Sequence, residues 1–251
     1  MVESAIMTAY IIGMTPTEPK LPLNSDQSKV VNAGARAKLS RTERIRESTR
    51  AKLIEAAERT MAAKGVDATT IADITEAADV GTGSFYNHFK TKSELAEIIF
   101  RSHADDLYNV SMSIFESVED AALGIAYIQK TFFTKAVRDP VWGWFVVHAT
   151  SDLPELGEIF GAGAADHIKR GQEAGRFKPV NIDVAVRIIL VVLTTGMRDL
   201  LLGEKPAGWA EDIVGSLLQL LGVPNDSAVE LSRLPLPAEF EDLAERTFRS
   251  R

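Results

Sequence analysis

A chain of 251 residues with 45% hydrophobic and 25% charged positions can bury a sizeable core, which excludes a wholly disordered or fibrous protein. It contains no cysteine, so a disulfide framework, a thiolate metal site and a cysteine nucleophile are excluded. The formal net charge of −7 is unevenly spread: residues 36–92 carry 11 basic and 8 acidic side chains, and residues 93–251 carry 15 and 24.

In chain order, residues 1–39 mix Pro16, Pro19, Pro22, Asn24, Ser25 and Gly34 without a sustained period, and are expected to form a flexible tail. An apolar patch at Tyr10–Ile12 has no basic residue before it, unlike a secretory signal. The first predicted helix runs from Thr42 to Lys64, with Ile54, Ala57 and Met61 inward and Gly65 as its stop. It opens in a basic patch, where Arg36, Lys38, Arg41, Arg44, Arg46, Arg50 and Lys52 face only Glu43 and Glu47. Such a local excess is the electrostatic footprint of phosphate binding, because charge is screened within about 8–10 Å at physiological salt.

A second helix is predicted over Thr70–Ala78, capped by Thr69 or Thr70, with Ile71, Ile74 and Ala78 inward. A break at Asp79–Gly81 precedes a third, Thr82–His88, whose Phe85 and Phe89 point to one side. Thr91-Lys92-Ser93-Glu94 then reads as a capping box that launches a long helix to about Phe115. Further helices are expected at 119–138, 140–150, 153–174, 181–202 and 207–222, with a polar tail after Pro224 and a short helix over Ala238–Arg249.

The run from Thr69 to Leu95, with Val80, Gly83, Tyr86, His88, Phe89, Lys92 and Leu95 in register, resembles the DNA-binding signature of the TetR family of bacterial regulators. Two positions depart from that pattern: Asp79 stands where the turn usually has Gly, and Gly81 where it usually has Ser. The resemblance implies an all-α fold with an N-terminal three-helix helix-turn-helix and a C-terminal helical bundle for ligand binding and dimerisation. The expected organisation is a tail (1–39), a DNA-binding domain (40–92), a ligand-binding and dimerisation domain (93–224) and a C-terminal tail (225–251).

Arg44, Thr69, Thr70, Thr82, Gly83, Ser84, Tyr86, Asn87, His88 and Lys92 are the candidate DNA contacts. Thr82 and Ser84 would face base edges, Gly83 would admit the backbone to the major groove, and Lys92 would hold a phosphate at a helix N-terminus. Aromatic density in the bundle nominates Phe115, Phe132, Trp142, Phe145, His148 and Met197 for an apolar or aromatic effector. The apolar stretches 184–202 and 209–221 nominate Ile189, Leu193, Leu217 and Leu221 for a dimer interface.

The function this implies is ligand-responsive repression at a palindromic operator. The alternative is a ligand-independent DNA-binding or partner-binding protein of the same fold. The expected partners are double-stranded operator DNA, a small effector and a second copy. An enzyme is not expected: His88, His103, His148 and His167 make no metal-ligand pair, and no phosphate-binding loop occurs. No cofactor or metal is expected. No apolar run nears the roughly 18 residues of a membrane span, so a cytoplasmic location without a membrane partner is expected.

Overall fold

Helix formation starts at Ser40, whose hydroxyl accepts from the Glu43 N–H while the Glu43 carboxylate accepts from the Ser40 N–H. This reciprocal cap opens α1 (Arg41–Lys64), which ends at Gly65 with φ 87°. The computed structural model describes residues 40–153, 155–178, 181–203 and 205–245, with side chains 155, 156, 158–160, 162 and 245 outside the description. The tail expected over 1–39, the predicted break residue Pro154 and the end of the predicted C-terminal helix (246–249) lie outside the described residues.

Ten further helices follow among the described residues, and no strand. They are α2 (Ile71–Ala77), α3 (Thr82–Tyr86), α4 (Lys92–Ser117), α5 (Ala121–Arg138), α6 (Pro140–Asp152), α7 (Glu155–Glu173), α8 (Ile182–Leu202), α9 (Trp209–Leu220), α10 (Asn225–Arg233) and α11 (Ala238–Glu245). The fold is all-α, as the sequence predicts. Asp120, Asp139 and Asn181 cap α5, α6 and α8 through their side chains, and Pro140 occupies the first turn of α6, where its missing N–H costs nothing.

Each helix buries one stripe, and α5 buries nearly its whole surface. Ile125, Ala126, Ile128, Phe132 and Phe133 sit in the core while α4, α6, α8, α9 and α11 pack around it. The first three turns of α1 are exposed, and its buried stripe (Leu53, Ile54, Ala57, Met61) lies against α2, α4 and, most extensively, α6.

The segment after Pro224 differs from the expected polar tail. Pro224 begins α10 rather than ending order, and α10 packs on α9 while α11 packs on α5. Phe240 meets the Tyr127 ring at 5.5 Å, and the buried Lys130 ammonium donates to the Leu234 carbonyl at 2.7 Å. The apolar residues here (Ala228, Leu231, Phe240, Leu243) are sparse but fall at helical spacing, so two short helices bury them together.

Candidate nucleic-acid interface and effector cavity

Thr70 caps α2: its hydroxyl accepts from the Asp73 N–H, and the Asp73 carboxylate accepts from the Thr70 N–H and meets Lys64 at 2.7 Å. Those partners hold the Asp73 carboxyl well below the usual carboxylate range, the Lys64 contact first. After α2 the chain turns at Asp79, whose φ of 54° is the one positive value among the described non-glycine residues. The turn is closed by Asp79 N–H to the Glu76 carbonyl (3.1 Å) and Val80 N–H to the Thr75 carbonyl (3.0 Å).

α3 is only five residues long, so its anchors decide where it points. Phe85 and Phe89 are buried, their rings 5.7 Å apart. The opposite edge presents Thr82, Gly83, Tyr86 and Asn87 to solvent, Tyr86 at 60% exposure, with Ser84 and His88 half-buried. A Cβ built on Gly83 meets nothing within 4 Å, so the backbone there is open to close approach.

α1 contributes charge to the same edge. The Arg50 guanidinium sits 5.4 Å from the centre of the Phe89 ring, and burial together with Arg46 and Arg50 pushes the His88 imidazole below its ordinary value. Arg44 is exposed on the same exposed turns of α1. Arg46 and Arg50 are absent from the candidate contacts named from sequence; their spacing of four, which puts both on one face of α1, is the signal that finds them.

Two candidates make structural bonds. Thr69 is fully buried and its hydroxyl donates to the Gly65 carbonyl at 2.7 Å, so it tightens the α1–α2 turn. Lys92 spends all three ammonium protons on the carbonyls of Val66 (2.9 Å), Asp67 (2.6 Å) and Thr69 (2.9 Å). In this structure it clamps that turn; Lys90 is the exposed lysine nearby. Glu94 accordingly accepts from the Lys90 N–H at 2.6 Å, so the predicted box around Thr91 is only half closed.

The same turn is held from the other side. Asp152, at the end of α6, accepts from the Val66 and Asp67 N–H groups at 2.7 and 3.2 Å. Nearby on α6, His148 donates from Nδ1 to the Met61 carbonyl at 3.1 Å, and His103 of α4 lies 2.8 Å from Glu58 of α1. Trp142 and Phe145 pack edge-on to His103 at 6.5 and 5.9 Å. Three expected ligand residues, Trp142, Phe145 and His148, therefore belong to the junction between α1 and the bundle. Met197 is fully buried and lines neither the cavity nor the groove described below.

An internal cavity of about 50 Å³ lies among α4, α5, α7 and α8. Of the expected ligand residues only Phe132 lines it, while Phe115 stacks on a lining residue, His167, at 4.3 Å. Tyr108, Ser111, Gln129 and His167 supply its polar groups and went unnamed as candidates in the sequence reading. Aromatic density drew attention to bulk, whereas a cavity is marked by small residues, here Ala104, Gly163 and Ala164. A wider, open groove of about 630 Å³ runs between α6, α7 and α8.

The four residues expected at a dimer interface lie inside their own chain. Ile189, Leu193, Leu217 and Leu221 are all buried within their own chain, because α10 covers α9 and α5 covers the inner face of α8. The exposed apolar residues of α8 are instead Val184, Ile188, Val191 and Leu202.

Comparison with known proteins places these features. Residues 53–99 match the family model of bacterial regulatory proteins, tetR family, and residues 120–233 match that of the tetracyclin repressor-like C-terminal domain. The transcriptional regulator TtgR of Pseudomonas putida is 47% identical over 62 residues, 25% of this chain. That stretch spans 30% of TtgR's own length. The crystal structure of RolR in complex with resorcinol matches at 29% identity and a TM-score of 0.62, covering 78% of this chain and 98% of that one. FadR of Bacillus subtilis, in complex with stearoyl-CoA, shares the fold at 16% identity and a TM-score of 0.56 over 69% of this chain and 97% of that one.

Proposed function

The chain belongs to the TetR family of bacterial regulatory proteins, and from that premise we propose that it is a repressor whose α2–α3 head grips operator DNA until a small effector enters the bundle. One observation carries the DNA-binding part. Thr82, Gly83, Tyr86 and Asn87 stand exposed on a helix pinned from behind by Phe85 and Phe89, with Arg46 and Arg50 flanking it. The hydroxyls and amide suit base edges and phosphate oxygens, and the arginines suit the backbone.

The active form is a two-fold dimer through α8. Val184, Ile188, Val191, Thr195, Arg198 and Leu202 alternate in steps of four and three, all exposed, a seam that a second α8 fills in coiled-coil fashion. The groove of about 630 Å³ shares Val191, Thr195 and Arg198 with that seam. The effector enters the cavity among α4, α5, α7 and α8; that RolR binds resorcinol supports a small-molecule effector here.

Selecting binding sites for the full chain from random duplex DNA tests the proposal. The expected sites are two-fold symmetric, with half-site centres about 34–36 Å, one helical turn, or a multiple of it apart. Sites without symmetry, or no enrichment, would contradict it.

A further inference from the structure

Ser111 and His167 fix each other's protons. The Ser111 hydroxyl donates to the Tyr108 carbonyl at 2.9 Å, so its oxygen can only accept from the imidazole, 3.2 Å away at Nε2. His167 therefore carries its proton on Nε2 and leaves Nδ1 as a bare lone pair. That Nδ1 is buried and has no hydrogen-bond partner among the described residues, on a side chain only 2% exposed. An unpaired acceptor in such a place is costly, which makes it a standing demand for a donor.

The rest of the cavity wall limits what can bring that donor. Its residues include Leu107, Ile128, Phe132 and Leu193 and no charged side chain, so an ion would lose its hydration with no counter-charge to replace it. Burial also pushes the His167 imidazole down to about 4, so it offers no cation at neutral pH. At about 50 Å³ the space is well short of the roughly 150 Å³ that holds a benzene ring, and it must open to admit one. Tyr108 is placed to do so: it is 38% exposed, and its ring lies 3.1 Å from where a Cβ on Gly163 would stand. The bare glycine lets the ring lie close against the wall, and outward rotation would enlarge the cavity toward solvent.

We propose that this cavity takes a compact, uncharged molecule bearing a hydroxyl, with Nδ1 of His167 accepting the hydroxyl proton and Tyr108 swinging off Gly163 to make room. The proposal rests on the effector reading above and gives it a chemical class, a neutral phenol or similarly small alcohol. The Ser111 hydroxyl sets the imidazole tautomer and so acts through His167, as a positioning residue.

Calorimetric titration of the full chain with phenol, fluorobenzene and benzoate tests it. Fluorobenzene matches phenol in size but has no proton to donate, and benzoate carries a charge. Phenol is expected to bind about tenfold more tightly than fluorobenzene, the worth of one buried hydrogen bond, and benzoate not at all. His167→Phe keeps a ring against Phe115 and should bring phenol down to the level of fluorobenzene. Comparing the three probes on the unaltered chain keeps the test decisive if that variant fails to fold. Benzoate binding as well as phenol, phenol no better than fluorobenzene, or no phenol binding would each overturn the ligand class. Operator release measured in the same samples separates that failure from failure of the effector reading, which falls only if no small molecule alters DNA affinity.

Discussion

Asp79 carries a left-handed backbone conformation that glycine adopts without penalty. Asp79→Gly is expected to raise thermal stability by on the order of 1 kcal/mol, and to tighten DNA binding slightly by removing a carboxylate beside the recognition helix. The turn bonds to Glu76 and Thr75 come from backbone N–H groups that glycine keeps, so an unchanged or lowered melting temperature would contradict this. His167 supplies a pH signature. Its folded value of about 4 lies below its ordinary 6.5, so between those two values the unfolded chain binds the extra proton. The stability tied to its neutral form is complete above pH 6.5 and is lost as pH falls toward 4. Melting curves of the native chain and His167→Phe should therefore converge or cross as pH drops through that window; parallel curves would contradict it. Lys92 gives a third check. Lys92→Ala is expected to cost about 1–3 kcal/mol of stability by stranding three carbonyls, without changing the salt slope of DNA binding. A phosphate contact would instead reduce that slope by about 1.

Among the elements, α6 ties the bundle to the head. One end of it holds the 65–69 turn through Asp152, and its Val146, Val147 and Thr150 line the open groove. Asp152→Ala should leave effector binding intact and weaken its effect on operator affinity, a coupling of typically about 1–3 kcal/mol in such proteins. Equal coupling in the variant would place the transmission elsewhere, on α4. Helix order and most boundaries were legible in the sequence, because Gly65, Asp139-Pro140, Asn181 and Gly203 punctuate a 3.6-residue period. So were the anchors Phe85 and Phe89, four apart on a short amphipathic helix. What pattern could not give was contact at a distance. Asp152 meets Val66 across 86 positions, Lys92 meets Val66 across 26, and His167 meets Ser111 across 56. Each is an ordinary polar residue until the fold brings its partner, so Lys92 read as a surface cation and Trp142 as a ligand contact. The apolar helices α8 and α9 show a related effect: α10, hidden among polar residues, packs on α9, and Leu217 and Leu221 are buried within their own chain.

At the scale of the molecule, that cover separates two outcomes for glutamate substitutions. Val191→Glu lies on an exposed seam at 64% exposure and should yield a folded monomer with weakened operator binding. Leu217→Glu puts an unpaired charge in the core and should unfold the chain instead, a cost of several kcal/mol. Light scattering beside circular dichroism distinguishes them, and a dimeric Val191→Glu would move the interface off α8. No helix among the described residues is long and apolar enough to cross a membrane. The molecule's net charge of −7 works against nucleic acid everywhere except at the head, where residues 36–92 carry the basic excess. Operator affinity as a function of salt, for the full chain and for Arg46→Ala and Tyr86→Ala, measures whether that head does the binding. The account expects affinity to fall by about 10³–10⁵ between 50 and 200 mM salt if the dimer makes 6–10 phosphate contacts. Arg46→Ala should give a shallower slope, and Tyr86→Ala weaker binding to every sequence. A flat salt response, or unchanged affinity in both variants, would contradict it.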